Sequence, residues 1–284
     1  MPDTINFDPG HNGDFIIDQN WDAYTPEDHA VWDLLYDRQM DILPGRAATE
    51  FLDGLKALKL DRGGIPDLER ISDELEPLTG WRVVAVPGLV PDTIFFEHLA
   101  NRRFPVSQFI RKRAQLDYLK EPDIFHDVFG HVPMLTNPFF ADMMEAHGKG
   151  GLRAMKYDGL KHIAALYWYT VEFGLVRTDD GLRIWGAGIV SSKSESVFAL
   201  EDASPNRIIF DLERVMLTDY RIDDFQQTYF VIDSYEQLYK DAVLTDFAPF
   251  YERSKGRYAY KPEETLPADE LLHLGTQAHA TKQG

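Results

Sequence analysis

Between Ala164 and Val176 the chain reads AALYWYTVEFGLV, an apolar run interrupted by one acid, Glu172. Such a run predicts a buried helix over about residues 160 to 175. On that helix Tyr169 and Leu175 flank Glu172 almost one turn back and almost one turn on, so exposing the acid would expose them as well. Glu172 is therefore expected inside. An isolated buried carboxylate is driven to protonate unless a cation or several donors compensate, and a divalent metal is the largest compensating charge available. Whatever fold the chain adopts must bring such a partner to this point.

The candidates for that partner lie in EPDIFHDVFGHVPML, residues 121 to 135, where His126 and His131 stand in a nearly unbroken apolar stretch. The other histidines read differently: His11, His273 and His279 fall in polar ends, and His29, His98, His147 and His162 sit beside charged residues or glycine, where surface positions are expected. Five residues along a regular helix turn two side chains about 140° apart. On spacing alone, two hydrogen-bonded core histidines explain the pair as well as a metal does. Gly130 and Pro133 alter the expectation, because glycine commonly ends a helix; His126 would ride the helix and His131 would follow its end, where the chain turns back. The pattern is not the H-E-x-x-H of zinc peptidases. With no cysteine in the chain, any metal must be held by nitrogen and oxygen. Two histidines and one carboxylate on one face match non-haem iron(II) oxygenases, while a zinc hydrolase fits the same ligands before other motifs are counted.

Elsewhere helical signals dominate. Thr25-Pro26-Glu27-Asp28 is a capping box with proline at the first helical position, ahead of the periodic run HAVWDLLYDRQMDIL. Further helices are predicted over 47–59, 67–77 and 91–101, and from Asn137-Pro138 through FFADMMEAH, with Gly148 as its end. WRVVAV, LRIW and TYFVID are the strand candidates, and they do not alternate regularly with helices as a doubly wound sheet requires. The expected fold is α+β and mainly helical, a single catalytic domain over about 21–260 with a few short strands. Residues 1–20 and 261–284 lack periodicity and are expected to be loosely attached tails. The formal net charge of -18 repels phosphate backbones and anionic headgroups, so neither nucleic acid nor membrane is an expected partner. The first residues lack the pattern of a signal peptide, which makes the cytoplasm the expected location.

Three separated stretches, EPDIFHDVFGHVPML, LYWYTVEFGLV and WGAGIVSSKSE, together with WRVVAVPGLVPDTIFFEHLANRRFPVSQFIR, resemble in sequence and order the pterin-dependent aromatic amino acid hydroxylases. The likeness runs from about Pro26 to about Pro249. It implies a monooxygenase acting on an aromatic amino acid, with Fe(2+), tetrahydropterin and O2, and it implies His126, His131 and Glu172 as the iron ligands. Pterin contacts are implied at Gly88, Leu89 and Val90 of the VPGLV turn, at Phe95, and at Asp127, a shorter acid than the glutamate of the animal members. For the amino acid the resemblance implies Arg111 as a fork for the carboxylate, Trp168 and Phe173 as walls of the ring pocket, and Gly188 and Ser191 of GAGIVSS as a closing loop. Trp168 and Ile222 lean towards phenylalanine, with tyrosine as product, over tryptophan or tyrosine as substrate. Lacking the regulatory domain and assembly helix of the animal relatives, the chain is expected to be a monomer. Two further features depart from the family pattern: Leu119-Lys120 stands where animal members have Thr-Pro, and Trp185 replaces a tyrosine. A catalytically silent module that only holds an aromatic amino acid is the reading from another class.

Overall fold

The computed structural model describes residues 13–117 and 121–279, so Leu119-Lys120 lies outside the described residues. Thr25 caps the first helix as its sequence predicts. Its hydroxyl accepts from the Asp28 N–H, the Asp28 carboxylate accepts from the Thr25 N–H, and Pro26 opens α1 (Pro26–Met40). Helices α2 (Thr49–Ala57), α3 (Leu68–Thr79) and α4 (Asp92–Ala100) occupy the predicted segments. Asn137 caps α5 (Pro138–Ala154), which does not end at Gly148. A Cβ on Gly148 would come 2.7 Å from the Leu99 carbonyl carbon, so this glycine serves a close crossing of α4 rather than a stop. The apolar helix forms as α6 (Leu160–Tyr167) and continues directly into a π-helix, Trp168–Glu172.

Two small sheets complete the α+β architecture. β1 (Arg82–Val86) pairs in parallel with β2 (Arg103–Ser107), setting Val86 opposite Ser107. The second sheet has the order β4-β3-β6-β5-β7, from β3 (Leu175–Thr178), β4 (Gly181–Ile184), β5 (Asn206–Ile209), β6 (Thr228–Ile232) and β7 (Leu271–His273). β1, β4 and β6 arise from the three predicted strand stretches. β2 carries Pro105, which argues against a strand until its place in a two-stranded pair is known. The main apolar core gathers Trp32, Phe51, Trp81, Phe104, Phe125 and Phe129, and a second cluster forms around Ile163, Leu166, Tyr169 and Phe230. Trp185 joins the first, its ring lying against Gly174 and edge-on to Phe140 and Tyr235. The substitution of tryptophan for tyrosine there thus fills core volume opened by a glycine.

Both segments expected as loose tails are tied down where they are described. Ile17 N–H donates to Ala85 O at 2.9 Å, and Gln108 Nε2 donates to the carbonyls of Asp18 and Gln19. At the other end β7 pairs antiparallel with β5, Asp269 meets Arg214 at 3.0 Å, and His279 meets Asp224 at 3.0 Å. Their polar, aperiodic composition hid this because the attachments use backbone groups and single ion pairs, not an apolar stripe. Three histidines expected at the surface are also buried. His98 and His162 each reach a backbone oxygen, of Asp14 and Met216, at 2.7 Å, and His147 packs against Phe96 and Tyr167. No helix among the described residues is long and apolar enough to cross a membrane.

Candidate metal centre

His126 and His131 belong to a single π-helix, Phe125–His131, with Gly130 inside it. This corrects the expectation that Gly130 ends a helix between them. A π-helix bonds i to i+5, so residues five apart stand one turn above each other, and the spacing that misaligns them on an α-helix aligns them here. Glu172 is likewise the last residue of its own π-helix, closed by Phe173 N–H on Trp168 O at 2.9 Å. Both ligand-bearing segments therefore share the same uncommon winding.

The three side chains converge. His131 Nε2 lies 3.2 Å from His126 Nε2 and 3.2 Å from Glu172 Oε1, and His126 Nε2 lies 3.6 Å from Glu172 Oε2. Donors at about 2.1 Å from one ion stand roughly 3.0 Å apart on an octahedral face and roughly 3.4 Å apart on a tetrahedron, so this set fits a metal in either geometry. Burial holds the His126 imidazole down to about 4, against the raising effect of Glu172, so it is neutral near pH 7. Burial alone would raise the Glu172 carboxyl, but His131, His126 and the Gly188 N–H outweigh it and hold it below the usual glutamate range. The anion and the neutral His126 ring are ready to bind a cation. Ser191 fixes the His126 ring further: its hydroxyl donates its one proton to Ala187 O at 2.7 Å, so at 3.0 Å from His126 Nδ1 it must accept. The Nδ1–H tautomer follows, and Nε2 presents its lone pair to the centre.

The segment behind these ligands is α7 (Ala187–Val190), preceded by Gly186 and followed by Ser191. A Cβ on Gly186 would come 2.6 Å from the Glu172 carbonyl carbon, and one on Gly188 would come 2.8 Å from the Phe173 ring. On the other side a Cβ on Gly130 would meet Ala187 O at 3.0 Å. GAGIVSS is thus wedged between the two π-helices. In the structure Gly188 backs Glu172 and Ser191 backs His126.

The residues implied for pterin approach the same centre. Asp127 follows His126 on the π-helix and is buried, and its carboxylate accepts from Ser107 N–H at 2.7 Å. Burial pushes its carboxyl up to about 7 although the Ser107 contacts pull it down. Because Ser107 pairs with Val86, the turn bearing Gly88, Leu89 and Val90 leaves β1 beside Asp127. Gly88 is buried there and Leu89 is 59% exposed. Phe95 meets Tyr167 edge-on at 5.7 Å, and Tyr167 lies 6.2 Å from the His131 ring.

Arg111 is buried and grips Asp123 through Nε and Nη2, at 2.9 and 2.8 Å, while Nη1 points at Leu116 O at 3.4 Å. Three of the guanidinium's five N–H groups are committed among the described residues, leaving two for a ligand carboxylate. Asp123 also accepts from His126 N–H at 3.1 Å, tying the fork to the metal helix. Trp168 packs on Phe173 at 4.8 Å, and Ile222 is 75% exposed on a nearby loop. Sequence reasoning missed Asp123, Ser107 and Tyr167. The rule that singled out Glu172, an acid in apolar surroundings, would have found Asp123 as well.

The chain matches the profile of the family described as biopterin-dependent aromatic amino acid hydroxylase over residues 17–262. It is 62% identical over 276 residues to the phenylalanine-4-hydroxylase of Caulobacter vibrioides, covering 97% of this chain and 94% of that one. It is 58% identical to the Ralstonia nicotianae phenylalanine-4-hydroxylase, covering 93% and 84%. A crystal structure of the Chromobacterium violaceum phenylalanine hydroxylase with iron and phenylalanine bound superposes with a TM-score of 0.87 at 54% identity, covering 91% of this chain and 94% of that one. A second structure of that protein, with iron(III) and 7,8-dihydrobiopterin, gives a TM-score of 0.87 at 55% identity, covering 91% and 93%.

Proposed function

The chain belongs to the biopterin-dependent aromatic amino acid hydroxylases, and on that premise we propose that it converts L-phenylalanine to L-tyrosine with O2 and a tetrahydropterin at a ferrous ion. The observation that carries the proposal is the meeting of two imidazole nitrogens and a carboxylate within 4.8 Å of one another. The two Nε2 atoms stand 3.2 Å apart beside the Glu172 carboxylate, a donor spacing that one shared cation fits.

Iron and tetrahydropterin, when bound, supply the oxygen activation and the two electrons that hydroxylation of an unactivated ring carbon requires. The chain's own residues supply the rest. His126, His131 and Glu172 would hold the ion through two imidazole nitrogens and one carboxylate. Gly88, Leu89 and Val90 offer backbone groups to the pteridine edge, Phe95 a flat ring, and Asp127 a carboxylate. Arg111 takes the substrate carboxylate on its two uncommitted N–H groups, while Trp168 and Phe173 hold the ring and keep bulk water from it. Ser191 and Gly188 keep their ligands aimed. We read the enzyme as a cytoplasmic monomer, and its net charge of -18 argues against a nucleic-acid partner.

The test is anaerobic reconstitution with Fe(II), followed by phenylalanine, tetrahydropterin and 18O-labelled O2, with the product identified by mass. Labelled tyrosine that requires all four additions supports the proposal. Turnover without pterin or O2, or faster reaction with tryptophan, overturns it.

A further inference from the structure

The loop that follows the helix Leu212–Met216 and leads into β6 passes against Trp168, and there the indole Nε1–H donates to Gln226 Oε1 at 2.9 Å. The amide cannot be turned round. Its Nε2 donates to Arg221 O at 2.9 Å and to Asp224 O at 3.4 Å, so nitrogen belongs with the two carbonyls and oxygen must face the indole. The Gln226 backbone N–H is in turn held by Glu195 Oε1 at 3.3 Å, an oxygen that also accepts from the Tyr229 hydroxyl at 2.5 Å. Gln226 is 3% exposed. Two rings hold the indole as well: Tyr220 stacks on it at 4.6 Å and 20°, and Phe173 lies at 4.8 Å and 39°.

We propose that Gln226 is a positioning residue that sets the orientation of the Trp168 indole, and through it the fit of the substrate's aromatic ring. The proposal rests on the reading of Trp168 as a wall of that ring's pocket. Stacking contacts permit more than one setting of the indole about its Cβ–Cγ bond, whereas a hydrogen bond at its one N–H selects a single setting. Glu172 lies on the same π-helix as Trp168, so an indole held at one angle holds the pocket wall at one distance from the metal. Gln226 acts only through Trp168; its own groups are spent on the indole and on backbone carbonyls.

The decisive experiment is a double-mutant cycle on the iron-loaded enzyme with phenylalanine as substrate. Gln226→Met keeps length and bulk but has no comparable acceptor. It is expected to raise KM about five- to ten-fold, the size of one net hydrogen bond, and to change kcat less than about two-fold. In a Trp168→Phe background, which has no N–H to hold, Gln226→Met is expected to change KM by less than about two-fold. An equal rise in both backgrounds would show a merely structural role and overturn the proposal. A measurement on the unaltered protein guards against a variant that fails to fold: the Trp168 indole N–H, identified among the five tryptophan signals by its loss in Trp168→Phe, should be protected from exchange with water. Fast exchange overturns the proposal. Wild-type protein that makes no tyrosine would instead overturn the proposed function and leave the exchange result standing.

Discussion

An alanine at Gly54 would set its methyl carbon 2.7 Å from the Pro133 carbonyl carbon and closer still to the oxygen. Gly54 lies inside α2, and Pro133 is two residues beyond His131. Ordinary contact needs about 3.5 Å, so α2 or the Pro133 backbone must withdraw by about 1 Å. Two terms oppose each other. Alanine in a helix interior gains about 1 kcal/mol over glycine, and overpacking a filled site costs about 1–3 kcal/mol. Backbone, not a flexible side chain, stands in the way, which places the cost at the upper end. A net loss of about 1–2 kcal/mol follows, or a Tm lower by about 2–3 °C in a chain of this size. Gly150→Ala is the matched control, since its methyl meets nothing nearer than Ile163 Cδ1 at 3.6 Å and the helix gain stands unopposed. Thermal melts of the two variants should shift in opposite directions. Gly54→Ala should also bind Fe(II) more weakly, because His131 Nε2 must stay within 3.2 Å of Glu172. A Gly54→Ala protein that melts at or above wild type would refute this account of the packing behind the metal helix.

Ser191→Ala frees the His126 tautomer and should weaken Fe(II) binding by about 10–100-fold in competition titrations; unchanged affinity would count against the tautomer argument. Arg111→Ala leaves the fully buried Asp123 without its guanidinium partner; the expected loss is about 3–5 kcal/mol in urea denaturation, and a loss below about 1 kcal/mol would refute the assignment. Burial pushes the Glu195 carboxyl up to about 7 despite its bonds from Tyr229 and Gln226. A carboxyl raised in the folded state contributes stability that is complete below its unfolded pKa of about 4.5 and is lost as pH rises through about 7. Glu195→Gln should therefore gain about 3 kcal/mol relative to wild type between pH 4.5 and 7.5, and a difference that does not change with pH would exclude it.

How much of this was legible beforehand can be traced residue by residue. Glu172 was found because burial of an unpaired charge is costly and its neighbours left it nowhere else to go. The capping box at Thr25 was readable because its signals are local and each has its own hydrogen bond. His126 and His131 were singled out, but their geometry was misjudged, since a spacing argument assumes a regular helix and nothing in the local sequence announces a π-helix. Gly130 and Gly148 were read as terminators, whereas the missing Cβ serves a neighbour distant in the chain, Ala187 in one case and Leu99 in the other. Gln226, Asp123 and Ser107 act through partners that only the tertiary fold supplies. The docked ends escaped notice for the same reason: a strand of three residues such as β7 takes its stability from β5, not from its own pattern.

The winding shared by the two metal-bearing helices makes chain length itself a determinant of the site. At its present length, a segment relaxed to ordinary α geometry, where each residue turns the chain by about 100°, would set His126 and His131 about 140° apart. Every side chain would survive in identity, yet the rings would no longer converge. The centre thus depends on winding as much as on residue identity: a spacing of five needs a π turn, where a spacing of four would need only an α turn.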